Sequence, residues 1–331
     1  MSLLSILYAS RPWSFTASLI PLLHLSLLYP SPTNSKLLTY LTWLPVLLSQ
    51  ACSNYVNTYT DYHIGVDSLT SSGGDRGIRD GHVTEGGAIR MAVATGALSF
   101  SAHWLCVRGD FATWIDCVYL AGVIVSVGYT ASPLRLKYIG LGDLSVFLVF
   151  NPLLVSYYLY GSLVLPPPTE PLDVGHLLLP TDPDQRSLLV SAVVNLLPLT
   201  LLTVAILHGN NLRDIEGDRK AGVTTVAGIM GETASRAYYA ALVIGCYLGL
   251  WFLEFRGNDD AAAWGQGGRG GGLWEGVTVT PGRMAWLTLP LAWGNLRRVW
   301  RGEYDNLDED TAKMHTAVGG VVAGGIWIMG W

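Results

Sequence analysis

The feature that most constrains this chain is a series of apolar stretches, each close to the length that crosses a lipid bilayer. A transmembrane helix needs about 20 mostly apolar residues, because its backbone polar groups must be satisfied without water. Nine stretches approach this length, at residues 13–30, 38–56, 88–107, 111–131, 143–164, 187–208, 236–254, 283–297 and 314–331. The sequence therefore predicts an all-α, polytopic membrane bundle of nine transmembrane helices.

Composition agrees with a membrane protein and excludes some functions. Only 14% of the residues are charged, whereas a soluble domain has about a quarter. The net charge of −5 argues against a nucleic-acid partner, because binding to a phosphate backbone needs a concentrated basic face. The four cysteines are scattered without CxxC pairing, so neither a disulfide framework nor a zinc site is indicated.

The positions of lysine and arginine predict the orientation of the bundle. Cytosolic loops of membrane proteins are enriched in these residues. With nine spans, 14 of the 20 fall on the side of the N-terminus, which we therefore expect to be cytosolic. Residues 1–331 are predicted to form a single domain, with flexible loops near 165–186 and 256–282 on the other side.

A first acidic cluster follows the second predicted span. Asn57 and Asp61 are four residues apart, so on a helix they share one side and can reach a common ion. Asp67 lies about 240° further round a continuous helix, and joins them only if the chain turns. Gly65 offers that turn.

A second acidic cluster follows the sixth predicted span, on the same predicted side of the membrane. Asp214 and Asp218 repeat the spacing of four, and Asn210 and Asn211 precede them. Carboxylates and amides suit Mg²⁺, whose sites are usually completed by substrate phosphates. Two such clusters predict a diphosphate held by metal ions between them.

Basic residues near the clusters are candidates for binding the departing diphosphate. Negative charge grows on this group as the carbon–oxygen bond breaks, so positive charge there accelerates the reaction. The candidates are Arg76, Arg135, Lys137, Arg213, Arg219 and Lys220.

Several of these residues also have a purely structural interpretation. A single pair of aspartates spaced by four is as often a solvated helix end, although two clusters with asparagines are harder to explain that way. Asp143 either caps the fifth predicted span or assists the acceptor, and His208 is more typical of a structural residue. Small residues at the pairs Gly122/Ser126 and Gly320/Gly324 predict close helix contacts.

Four segments carry a resemblance to a known family. They are RPWSFTAS from residue 11, VNTYTDYHIGVD at 56–67, YTASPLRLKYIGLGD at 129–143 and ILHGNNLRDIEGDRKAGVTT at 206–225. Together they make the chain similar to the UbiA superfamily of intramembrane prenyltransferases. The block NNLRDIEGDR is most similar to the branch that acts on 1,4-dihydroxy-2-naphthoate and makes menaquinone (vitamin K2).

The resemblance implies a nine-helix bundle around a central cavity and a magnesium-dependent reaction. A geranylgeranyl or longer diphosphate would ionise, and a naphthoquinol-type ring would attack the allylic cation. Lys137 and Arg213 would touch the phosphates, and Tyr129 would shelter the cation. The implied catalytic residues and metal ligands are Asp61, Asp67, Asp214 and Asp218, with Asn57 as a further metal ligand.

Two other functions stay open at this point. One is prenylation of another ring, such as 4-hydroxybenzoate or homogentisate. The other is a non-catalytic membrane protein that binds an isoprenoid or responds to sterol. The resemblance also allows a regulatory protein partner, and favours an ER or Golgi membrane over a mitochondrial or bacterial inner membrane.

Overall fold

The structure, a computed structural model, is built from helices. It describes residues 6, 8–31, 36–66, 77–106, 112–162, 182–264 and 281–329. Within these ranges the only β-type pairing is one parallel bridge between Ile139 and Thr224. The predicted all-helical class is therefore confirmed.

Eleven α-helices are numbered here along the described part of the chain. They are α1 (Thr16–Leu28), α2 (Lys36–Ile64), α3 (Glu85–Cys106), α4 (Ala112–Gly128), α5 (Gly142–Gly161), α6 (Pro183–Arg213), α7 (Ile215–Lys220), α8 (Val226–Trp264), α9 (Pro281–Met284), α10 (Leu289–Arg301) and α11 (Leu307–Met329). A π-helical turn at Val149–Leu153 lies within α5.

Several of these helices are suited to crossing a bilayer. Gly142–Gly161, Pro183–Arg213 and Val226–Glu254 have the necessary length and apolar composition, and Pro12–Leu28 and Ile115–Gly128 are shorter apolar segments. Each of the nine predicted spans falls mainly in helical structure, but the eighth, 283–297, covers the end of α9, a 3-10 turn at Ala285–Thr288 and most of α10. Their number as membrane crossings stays a prediction.

The two predicted loops overlap the ends of helices. Helix α6 begins at Pro183, where the side chain of Asp182 accepts hydrogen bonds from the backbone N–H groups of Asp184 and Gln185. Helix α8 continues to Trp264. The remainder of both predicted loops, 163–181 and 265–280, lies outside the described residues.

Helix α6 lies at the centre of the bundle and packs against α1, α5, α8 and α11. Leu196, Leu199 and Leu202 on α6 are almost completely buried by these neighbours. The end of α6 is therefore fixed on several sides, and this end carries the second acidic cluster.

Close contact between α1 and α11 depends on a glycine that the sequence did not single out. A Cβ atom added to Gly319 would lie 2.1 Å from Cγ2 of Ile20. The prediction for Gly122, Gly320 and Gly324 is wrong, because an added Cβ at any of them has no neighbour within 4 Å among the described residues. Small residues at spacing four do not show which side of a helix meets a neighbour.

Gly319→Ala is expected to destabilise the protein by about 1–3 kcal/mol, since Ile20 is branched at Cβ and cannot move aside without shifting the helix. Thermal unfolding in detergent measures the effect. Gly320→Ala, one residue away and in open space, is the control and should leave stability unchanged or raise it by up to about 1 kcal/mol. Equal stability of the two variants would contradict the assignment.

Candidate active site

The first acidic cluster lies at the C-terminal end of α2. With its amide oriented to satisfy both neighbours, Asn57 donates to Oδ2 of Asp61 at 2.8 Å and accepts from Nη1 of Arg11 at 2.6 Å. The helix spacing of four thus brings Asn57 and Asp61 together. Asp67 lies outside the described residues.

Asp61 is also bound by the loop between α4 and α5. Nζ of Lys137 donates to Oδ2 at 2.8 Å, and the hydroxyl of Tyr138 donates to Oδ1 at 2.5 Å. Lys137 and Asp61 are 4% and 3% exposed, so this is a buried ion pair. The backbone N–H of Lys137 in turn donates to the carbonyl of Tyr129, which fixes the loop's turn.

The second acidic cluster lies where α6 passes into α7. Asp218 is 2% exposed, and neither carboxylate oxygen has a hydrogen-bond partner among the described residues. Burial raises the pKa of Asp218 to about 6; the charge of Lys137 and the nearby side chain of Thr225 oppose this rise, and the charges of Asp214 and Asp61 reinforce it. A buried carboxylate with two unpaired oxygens is costly unless a cation joins it.

Arg213 is held by three acidic or amide groups. Its Nε and Nη2 donate to the two oxygens of Asp214, each at 2.8 Å, and its Nη1 donates to Asp308 at 2.9 Å. Its Nη2 also donates to Oδ1 of Asn210 at 2.5 Å. Asp308 lies in the first turn of α11, 95 residues further along the chain. It was not among the candidate residues from the sequence.

An amide from each cluster lines the same cavity. Arg11 and Asn57 line it from the N-terminal segment and α2, Lys137 from the loop before α5, Asn210 from the second cluster, and Asp308 from the first turn of α11. Including its open mouth, the cavity measures about 1400 Å³. The structure therefore brings one amide from each cluster, two cations and the carboxylate of Asp308 to one end of one cavity, whereas Asp61, Asp214 and Asp218 do not line it.

The backbone also links the loop that carries Lys137 to the turn that follows the second cluster. Ile139 pairs with Thr224, and the N–H of Thr224 donates to the carbonyl of Tyr138 at 3.2 Å. Val66, Tyr138 and Val223 pack into a small hydrophobic cluster beside this bridge. The loop that carries Lys137 and the turn after Asp218 thus form one unit.

The rest of the cavity is less polar and extends along the helices. Val46 lines it on α2, Val123 on α4, and Phe150 and Leu153 on α5. From Asn57 to Val46 the lining runs about 16 Å along α2, at about 1.5 Å per residue. This shape suits a ligand with a charged head and a long apolar tail.

The remaining predicted residues fall into three groups. Tyr129 lines the cavity and its hydroxyl is buried without a hydrogen-bond partner among the described residues, as is Oδ1 of Asn211. Arg135 is exposed and does not line the cavity. Arg76 lies outside the described residues.

Asp143 and His208 form a buried pair behind the cavity. Nδ1 of His208 lies 2.9 Å from Oδ2 of Asp143. The side chain of Asp143 makes no capping bond to its own helix, so the capping interpretation is wrong. The ring of His208 packs edge-on against Tyr238, in agreement with a structural role.

The residues at the polar end fit a divalent cation that a substrate completes. Within the described ranges no group of three or more His, Cys, Asp or Glu side chains is close enough to hold a metal ion by itself. Magnesium sites commonly use one or two carboxylates, waters and substrate phosphates. The two unpaired oxygens of Asp218 are the donors that such an ion would satisfy.

Comparison with known proteins agrees with this architecture. The chain is 31% identical to UbiA prenyltransferase domain-containing protein 1 of Danio rerio, over 94% of this chain and 80% of that protein. It is 30% identical to the Xenopus tropicalis protein of the same name, over 94% and 78%.

Solved structures share the fold at low identity. A UbiA homolog from Aeropyrum pernix K1 superimposes with a TM-score of 0.57 at 15% identity, covering 99% of this chain and 98% of the other. A UbiA homolog from Archaeoglobus fulgidus bound to GPP and Mg²⁺ gives 0.54 at 14% identity, covering 98% and 99%.

The UbiA prenyltransferase family profile matches residues 18–275, which is most of the chain. Family membership, the apolar helices and the shared fold together identify an integral membrane protein. The chain belongs to the UbiA prenyltransferase family and is a prenyltransferase.

Proposed function

We propose that this chain transfers a prenyl group from a magnesium-bound prenyl diphosphate to a naphthoquinol-type ring in menaquinone (vitamin K2) biosynthesis. The observation that carries the proposal is the single cavity with Asn57, Lys137 and Asn210 at one end and apolar walls beyond them. A prenyl diphosphate has the same division, with its charge at one end and hydrocarbon at the other.

Magnesium would be held by carboxylates and amides from both clusters. The proposed ligands are Asn57, Asp61, Asp67, Asp214 and Asp218, and the unpaired oxygens of Asp218 support the assignment. When bound, the metal supplies positive charge to the departing diphosphate. Support comes also from the Archaeoglobus fulgidus homolog, which is bound to GPP and Mg²⁺.

The cationic side chains would neutralise the rest of the diphosphate charge. Lys137 lines the cavity beside Asp61, and Arg11 lines it beside Asn57. Arg213 would contribute through a change of partner, because Asp214 and Asp308 hold its guanidinium in the present arrangement. Positive charge fixed in place before the reaction is more effective than charge that must be reoriented.

The reaction breaks the allylic carbon–oxygen bond, and its electron pair leaves with the diphosphate. A π-electron pair of the ring then forms the new carbon–carbon bond, and the ring loses a proton or its carboxyl group to recover aromaticity. Tyr129 lines the cavity, and the electron-rich face of its ring would stabilise the allylic cation.

The donor and the membrane are also part of the proposal. We favour a geranylgeranyl or longer diphosphate, because the cavity lining runs for about 16 Å along α2 from Asn57 at the polar end to Val46. The distribution of lysine and arginine favours a cytosolic N-terminus and cytosolic active-site loops, in an ER or Golgi membrane.

The test is turnover by the purified full chain in lipid nanodiscs. With Mg²⁺, geranylgeranyl diphosphate and a naphthohydroquinone, a prenylated product is expected by mass spectrometry. Parallel reactions contain 4-hydroxybenzoate or homogentisate as acceptors. Product from one of these acceptors alone would overturn the naphthoquinol assignment. Binding of the donor without any product would favour the non-catalytic alternative.

Removal of divalent metal tests the role of magnesium. Excess EDTA is expected to abolish product formation, because the carboxylates repel the diphosphate when no cation lies between them. Added Mg²⁺ should restore activity, and the unfolding temperature should be followed in parallel to show that the protein stays folded. Undiminished turnover in EDTA would contradict a metal-dependent reaction.

A further inference from the structure

Two tyrosines line the end of the cavity that is farthest from the acidic clusters. On the helices that run away from the polar end, the described lining residues end at Val46 on α2, Val118 and Tyr119 on α4, and Tyr157 on α5. Tyr119 and Tyr157 are 7% and 4% exposed. Their centroids lie 6.0 Å apart, so the two rings form one surface.

A hydrogen-bond network behind these rings holds them in place. The hydroxyl of Tyr119 lies 2.7 Å from Oγ of Ser99, which donates to the backbone carbonyl of Pro45. The hydroxyl of Tyr157 lies 3.1 Å from Nδ1 of His103. His103 also stacks on the ring of Tyr119, with centroids 4.0 Å apart and planes within 8°.

An aspartate fixes the histidine from its other side. Nε2 of His103 lies 2.7 Å from Oδ1 of Asp116 on α4. The side chain of His103 is 2% exposed, and that of Asp116 is 33% exposed. Burying an ionisable side chain in a membrane protein costs free energy, and such residues usually serve a function. The position of His103 and Asp116 behind two tyrosines of the cavity therefore indicates that the pair orients these rings.

We infer that Tyr119 and Tyr157, braced by His103 and Asp116, form an end wall that limits the length of the prenyl chain the cavity accepts. This inference depends on the proposed function, because it concerns the donor of that reaction. Both tyrosine hydroxyls already have partners, so the wall presents rings to the chain and has no need of a polar ligand. A ring fixed from behind cannot rotate aside for a longer chain.

The test measures binding of non-reactive thiolodiphosphate analogues that carry geranyl, farnesyl, geranylgeranyl or solanesyl chains. It uses the full chain in nanodiscs with Mg²⁺, so it requires no acceptor and no turnover. Tyr119→Ala and Tyr157→Ala are expected to strengthen, by about tenfold or more, binding of the first chain too long for the wild type. In turnover, the kcat/KM ratio of the same longer donor to shorter donors should rise similarly.

Two controls separate a wall from general destabilisation. Tyr158→Ala removes an equally buried tyrosine of α5 that does not line the cavity, and should leave the length profile unchanged. Asp116→Ala should broaden the profile by loosening His103, whereas Asp116→Asn keeps a hydrogen-bond acceptor and should preserve it. A purely structural role would lower stability without changing the relative affinity for long and short chains.

The outcomes distinguish this inference from the proposed function. Length profiles of Tyr119→Ala and Tyr157→Ala that coincide with the wild type would overturn the wall. An Asp116→Ala profile that equals the wild type would overturn the bracing role of the pair. If the wild type binds none of the analogues, the proposed donor is wrong, and the inference of an end wall is then wrong as well.

Discussion

Asp218→Asn is expected to abolish prenyl transfer, with kcat/KM falling by about a hundredfold to a thousandfold or more. Removing a single preorganised charge-stabilising group commonly has an effect of this size. Asp218 is the buried carboxylate whose two oxygens lack partners among the described residues, so its charge is available to a cation. The measurement is steady-state turnover at saturating Mg²⁺, with Glu216→Gln, an exposed acid of the same helix, as the control.

The same substitution should make the metal-free protein more stable. Asparagine removes a buried charge whose desolvation is only partly offset by Lys137, and the expected gain in stability is about 1 kcal/mol or more. The pKa of Asp218 rises from 3.8 to about 6 in the folded protein, so the folded state binds more protons across that interval. Wild-type stability should therefore fall as pH rises from about 4 to 6, and Asp218→Asn should lack this loss. A less stable variant would contradict the assignment.

Lys137→Met is expected to cost both activity and stability. The Nζ group lies 2.8 Å from Oδ2 of Asp61 and both side chains are buried, so methionine leaves an unpaired buried carboxylate. Breaking a buried pair in this way costs about 3–5 kcal/mol. We expect kcat/KM to fall by about a hundredfold or more, because the same cation lies at the phosphate end of the cavity.

A double variant separates the two roles of Lys137. Lys137→Met combined with Asp61→Asn removes both charges, and should recover most of the lost stability without recovering turnover. Thermal unfolding and product formation are measured on the same preparations. Lys220→Met is the matched control, because this candidate cation from the sequence is exposed at the end of α7 and does not line the cavity. Recovery of turnover in the double variant would show that Lys137 acts only through the fold.

The sequence predicted those features that depend on neighbouring residues alone, namely the helices and the pairs of residues four apart on one helix. Every predicted span falls mainly in helical structure, because bilayer thickness fixes the length of an apolar stretch that crosses it. The spacing of four placed Asn57 beside Asp61, because it follows from the helical repeat. One amide of each cluster, Asn57 and Asn210, lines the same cavity, and the joint binding of a diphosphate by the two clusters stays a prediction.

Tertiary contacts account for what the sequence could not supply. Asp308 looks like an ordinary acid in the first turn of a helix, and only the packing of α11 brings it to Arg213. Arg11 was visible within a family-like segment, yet its contact with Asn57 depends on how the N-terminal segment lies over α2. The choice of Gly319 over Gly320 likewise depends on helix rotation, which sequence spacing does not determine.

The short backbone bridge between Ile139 and Thr224 has a consequence for how such an enzyme can change over time. The bridge joins two interhelical segments that are distant in the sequence. An insertion or deletion in either segment would therefore shift Lys137 relative to Asp218. Length variation should accumulate in the other interhelical connections, while these two keep a constant number of residues.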